Sequence, residues 1–79
     1  MTIQERIGKR ITQLRKEKKL SQQKFAYEAD VERSYLTHIE KGRKNISVGT
    51  LERIFAALEV SFKDFFDAEI FITGKKKKA

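Results

Sequence analysis

With 79 residues the chain can build one compact domain around one small core, and with no cysteine it has neither a disulfide framework nor a thiolate zinc site to reinforce that core. A single histidine, His38, excludes a histidine metal cluster, and no carboxylate pair, nucleophile–histidine couple or phosphate-cradling glycine loop stands out, so an enzyme is not expected and no cofactor is called for. The net charge of +7 is unevenly spread: residues 1–46 hold 12 basic and 6 acidic side chains, residues 47–74 hold 2 and 5, and Lys75–Lys78 add four more positive charges.

A basic end of this kind suits a polyanion and an acidic end suits a role away from phosphates, although a chain with 37% charged residues would also have an ordinary solvated surface. The first ten residues, MTIQERIGKR, are charged where a signal peptide is apolar. No later stretch approaches the roughly 20 apolar residues of a membrane span. A cytoplasmic chain with no membrane partner is therefore expected.

Ile3, Ile7, Ile11 and Leu14 recur at helical spacing and predict an amphipathic helix over residues 2–18, with lysines and arginines on its other face. Ser21 is a favoured N-cap for a second helix, Gln22 to Ala29, in which Phe25, Ala26 and Ala29 share a face. At Ala29-Asp30-Val31 the pattern breaks, and Asp tolerates the left-handed conformation that a tight turn needs. Tyr35, Leu36 and Ile39 then mark a third helix, from about Glu32 to Lys41, closed by Gly42 at a position suited to positive φ.

After the polar loop Arg43-Lys44-Asn45, Ser47 caps a fourth helix with apolar positions Val48, Leu51, Ile54, Phe55 and Leu58. Ser61 and Asp64 resemble a capping box for a short fifth helix holding Phe62, Phe65 and Phe66. The segment Glu69-Ile70-Phe71-Ile72-Thr73 fits either a short strand or a continuation of the helix. Residues 1–74 are expected to form a single domain and residues 75–79 a disordered lysine-rich tail.

Two short helices joined by a tight turn, with small Ala26 near their crossing and Val31, Leu36 and Ile39 facing inward, meet the requirements of a helix-turn-helix. The second helix of such a pair leaves Arg33, Ser34, Thr37 and His38 free to meet a partner.

The chain resembles the Cro and phage-repressor-like (XRE-type) helix-turn-helix regulators through Leu20-Ser21-Gln22, Phe25-Ala26, Tyr35-Leu36 and Ile39-Glu40-Lys41-Gly42, with Arg15 before them and the short fifth helix after. The resemblance spans residues 7–66. Within that family, Arg33-Ser34-Tyr35 and Asn45-Ile46-Ser47 look like the corresponding runs of restriction-modification controller proteins. The resemblance implies an all-α, compact five-helix, lambda-repressor-like DNA-binding domain with a short C-terminal extension. It also implies a sequence-specific transcriptional regulator whose partner is double-stranded DNA.

Carried onto these positions, the resemblance makes Arg33 the main base reader, since a guanidinium can bond guanine O6 and N7 together, with a phosphate contact as the alternative. Ser34, Thr37 and His38 would meet a base edge or a thymine methyl, or remain solvated. Tyr35 would pack its ring in the core, with its hydroxyl able to reach a phosphate or a base. Gln22 and Ser47, at helix N-termini, and Arg43, Lys44 and Asn45 in the loop would contact the DNA backbone. Arg15 and Glu40 hold positions that form a buried structural ion pair in the family. Two departures stand out: Asp30 replaces the commoner Gly of the turn, and Glu32 replaces a capping Ser, Thr or Asp, where it is either tolerated or accepts from a cytosine N4 amine.

One recognition helix covers only a few base pairs, so a homodimer is expected. The C-terminal half has more large apolar residues than so small a core needs, and Phe66, Ile70, Phe71 and Ile72 are expected at the dimer interface, with Phe62 and Phe65 packed inside the chain. No small-molecule ligand is evident. The alternative is a protein-interaction module, such as an antitoxin or a bridging factor, using the same apolar surface. RNA binding is disfavoured because the aromatic residues lie mainly on apolar helical stripes.

Overall fold

A computed structural model describes residues 1–72 of the chain. In chain order these form α1 (Ile3–Glu17), α2 (Gln22–Ala29), α3 (Arg33–Glu40), α4 (Val48–Leu58), α5 (Phe62–Phe66) and a 3-10 turn over Glu69–Phe71, with no strand among the described residues. The 3-10 turn decides between the two alternatives left open for Glu69–Ile72 in favour of neither, being neither strand nor continued α-helix. The expected tail at residues 75–79 lies outside the described residues.

Four of the five α-helices begin where a hydroxyl takes up an orphaned amide, the exception being α3 with Glu32 at its N-cap. Ser21, Ser47 and Ser61 accept from the backbone N–H groups of Lys24, Thr50 and Asp64, at 3.1, 3.1 and 3.0 Å. At the head of α1 a full capping box forms: Thr2 Oγ1 accepts from the Glu5 amide at 3.1 Å, and the Glu5 carboxylate accepts from the Thr2 amide at 2.7 Å. The box anticipated at Ser61 is only half made, because the serine bonds the Asp64 amide without a reciprocal bond from Asp64. Aspartate is one methylene shorter than the glutamate that completes such a box. Asp30 ends α2 in the left-handed conformation at φ 58°, and Gly42 follows α3 at φ 75°.

Ile11, Phe25, Leu36, Ile39, Ile54, Phe55, Leu58 and Phe65 are fully buried where the five helices meet, with Ala26 and Ala29 filling the narrow gaps between them. Two of the anticipated apolar positions lie outside this core. Ile3 is half exposed and Val48 is 73% exposed, each at the first residue of its helix, where no other element reaches over the end to cover it. Phe62, expected inside, is 50% exposed and touches the core edge-on, its ring 4.8 Å from that of Phe55. Phe71 is more sheltered than expected, packing its ring against Phe65 and Phe66 at 5.9 and 4.9 Å.

α1 lies across both halves of the molecule. A Cβ added at Gly8 would stand 2.5 Å from the Ile39 carbonyl oxygen and 2.6 Å from that of Glu40, so only glycine lets α1 approach the end of α3 so closely. Two residues further on, Arg10 donates to the carbonyls of Phe65 and Asp64 at 2.8 and 2.9 Å, satisfying the end of α5.

Candidate nucleic-acid interface

The turn between α2 and α3 is held by backbone bonds from Asp30 N–H to the Tyr27 carbonyl (3.2 Å) and from Val31 N–H to the Ala26 carbonyl (3.0 Å). With Ala26 buried at the crossing, α3 anchors itself through Leu36 and Ile39, and its opposite side is left outward. Arg33 and Ser34 are exposed there, and Thr37 and His38 are partly exposed one turn further along. Tyr35 is partly buried and packs against the core. Glu32, at the N-cap of α3, is exposed and makes no side-chain capping bond.

Arg43, Lys44, Asn45 and Ser47 follow on the exposed loop after α3. The loop is drawn toward the head of α1, because the Gln4 amide donates to the Asn45 side-chain carbonyl. Gly42 allows the turn: its α-carbon sits so close to Glu5 that a Cβ would stand 2.6 Å from the Glu5 side chain. Gly8, Gln4 and Glu5 therefore shape this surface without having been singled out in the sequence. Gly8 carried a readable signal, since a glycine inside a helix costs about 1 kcal/mol relative to alanine and its presence points to a close approach.

Behind the outward row lies a polar cluster. Arg15 and Glu40 form a bidentate pair, Nε to Oε2 at 2.7 Å and Nη2 to Oε1 at 3.1 Å, with side chains only 9% and 6% exposed. Arg15 Nη1 also donates to the Leu20 carbonyl at 2.7 Å, fixing the chain between α1 and α2. Gln22 Nε2 donates to Glu40 Oε1 at 2.9 Å, and Gln22 Oε1 faces the Thr37 hydroxyl at 3.3 Å. Gln22 is thus tied on both sides of its amide, and what remains for a phosphate is chiefly the backbone N–H groups at the start of α2.

In the C-terminal segment Phe62, Phe66 and Ile72 are exposed, while Ile70 and Phe71 are partly buried. This apolar edge belongs to the acidic half of the sequence. No helix among the described residues is long and apolar enough to cross a membrane.

An outward polar row on the second of two tightly joined helices, with a basic loop following it, is the arrangement of a helix-turn-helix protein. A family model described as helix-turn-helix matches residues 11–65, and the chain belongs to that family. It is similar to the control protein C.MunI of a Mycoplasma species, at 42% identity over 65 residues covering 81% of this chain and 88% of the relative. It is also similar to the control protein C.BamHI of Bacillus amyloliquefaciens, at 38% identity over 72 residues covering 90% and 89%. Among solved structures, the restriction-modification controller protein C.AhdI from Aeromonas hydrophila superposes with a TM-score of 0.76 at 30% identity, covering 80% of this chain and 96% of that one. The controller protein C.Esp1396I, crystallised as a tetramer with its natural 35 base-pair operator, superposes with a TM-score of 0.79 at 31% identity, covering 85% and 88%.

Proposed function

We propose that the chain is a sequence-specific double-stranded-DNA-binding transcriptional regulator of the restriction-modification controller type, acting in the cytoplasm and binding a symmetric operator as a homodimer. The carrying observation is the outward row of α3. Leu36 and Ile39 are fully buried while Arg33 and Ser34 stand exposed, and the Arg33 guanidinium has no hydrogen-bond partner among the described residues. An exposed, unpartnered guanidinium near the N-terminus of a groove-sized helix is suited to the bidentate reading of guanine. The relatives named above are control proteins, and one of the similar structures is an operator complex.

Arg33 is the main base reader in this proposal, with Ser34, Thr37 and His38 beside it and Glu32 at the edge of the row. Arg43, Lys44, Asn45, Ser47 and the amide end of α2 at Gln22 meet the phosphate backbone, and Tyr35 braces the helix from behind. Binding, not catalysis, is the activity. The two recognition helices of a dimer would enter successive major grooves about 34–36 Å apart. Phe66 and Ile72, with Ile70 and Phe71 behind them, form the dimer contact.

Selection of bound duplexes from a random pool, with wild type and Arg33→Ala in parallel, tests this. A two-half-site motif that loses a guanine in the mutant is the expected result. Salt-sensitive binding without an enriched motif would refute it, and would favour a protein-interaction role for the exposed Phe62, Phe66 and Ile72 instead.

A further inference from the structure

Glu40, paired with Arg15, offers only acceptor atoms to its surroundings. Gln22 approaches Glu40 Oε1 at 2.9 Å and must present its NH2 group there, because the opposite orientation would set its carbonyl against the carboxylate. The direction of the Gln22 amide follows from this chemistry alone. Its carbonyl is then turned to the Thr37 hydroxyl at 3.3 Å, and the remaining close neighbour of that hydroxyl, the Arg33 backbone carbonyl at 3.1 Å, is also an acceptor.

Thr37 has one proton, and both internal neighbours accept it. A bond to the carbonyl one turn back is weak by itself and leaves a helical threonine free to swing its proton outward. Gln22 supplies a second internal acceptor, so a proton leaving the Arg33 carbonyl meets another protein acceptor before it meets the groove. The lone pairs are what Thr37 has left to offer, on the same side of α3 as Arg33 and partly exposed. In the major groove the base donors are the exocyclic amines, N6 of adenine and N4 of cytosine, whereas guanine O6 and thymine O4 only accept.

Resting on the operator-binding reading above, we propose that Thr37 reads an exocyclic amine of adenine or cytosine as a hydrogen-bond acceptor, and that Gln22 is the positioning residue that sets this polarity. Ser34 has no hydrogen bond from its side chain among the described residues, and its hydroxyl is free to turn either way.

The test takes the selected operator and removes exocyclic amines one position at a time through a half-site, using purine for adenine and 2-pyrimidinone for cytosine. At one position wild type should lose about fivefold to tenfold in affinity. Thr37→Val should lose a similar factor on the intact operator and be indifferent to amine removal at that position, while Thr37→Ser should keep the wild-type sensitivity. Gln22→Met, which keeps the length and removes the carbonyl, should open that position to guanine or thymine. Amine removal that costs wild type nothing, or costs Thr37→Val as much as wild type, would overturn the assignment and leave the operator reading standing. Failure to enrich any motif would overturn the operator reading, and this assignment with it.

Discussion

The guanidinium of Arg15 and the carboxylate of Glu40 meet through two hydrogen bonds, 2.7 and 3.1 Å long, across the gap between the first helix and the end of the third. The attraction of such a pair is largely offset by the desolvation of both charges, so the pair matters most through what its loss would leave behind. Arg15→Ala would strand a nearly buried carboxylate and free the Leu20 carbonyl. We expect a loss of about 3–5 kcal/mol, enough to lower the melting temperature by on the order of 10 °C or more in a domain of this size. DNA affinity should fall with it, by an indirect route. A wild-type melting curve for Arg15→Ala would refute this role.

Two opposing effects meet at Gly8. Alanine in a helix interior is favoured over glycine by about 1 kcal/mol. Against that, the new methyl would lie 2.5 and 2.6 Å from two backbone carbonyl oxygens of α3, which cannot yield without displacing the helix. The clash should win, and Gly8→Ala should be destabilised by about 1–3 kcal/mol in chemical denaturation. A stabilised variant would mean that α1 and α3 are not held so close.

Glu5 should make stability pH-dependent. Its carboxyl is held below the ordinary range, first by the backbone N–H of Thr2, then by the Thr2 hydroxyl bond and the nearby positive charges of the N-terminus and Lys9. Because the folded value lies below the unfolded one, the contribution is fully present above the unfolded value and disappears as pH falls through the folded value. Wild type should therefore exceed Glu5→Gln in stability at neutral pH, and the gap should close on acidification. A gap that is constant with pH would remove the capping box as its source.

The exposed apolar edge should govern assembly. Wild type is expected to sediment as a dimer at micromolar concentration, and a Phe66→Lys, Ile72→Lys double variant as a folded monomer, judged by its helical circular dichroism. Ile72 is 73% exposed and gives up little internal packing, whereas Phe66, 38% exposed, also gives up ring contacts with Phe65 and Phe71, so retained helical signal is part of the expected result. A monomeric wild type would exclude the homodimer.

The helices were legible because their apolar residues repeat at helical spacing and serines stand at three of their starts. The places where sequence and structure part company are those where periodicity cannot say what lies opposite. Val48 follows the stripe of α4 yet faces solvent, because the stripe continues past the last element able to cover it. Phe62 and Phe71 exchange their expected environments, since which of several phenylalanines reaches the core depends on how the chain turns after Phe66. At the interface, the outward positions of α3 could be picked out by exclusion from its apolar face. The bonds from Gln22 to Glu40 and Thr37 could not, because they join residues 18 and 15 positions apart that only the crossing of α2 and α3 brings together.

That crossing also sets the terms on which the chain can change its target. The Arg33 and Ser34 side chains are bonded to nothing else among the described residues, so, on the proposed reading, single substitutions there would alter the base that is read without disturbing the scaffold. Thr37 is tied to Gln22, and Gln22 to Glu40 and Arg15, so a new residue at position 37 inherits a partner chosen for the old one. Recognition helices built this way have one edge that evolves by single steps and another that moves only when its partner on the preceding helix moves too.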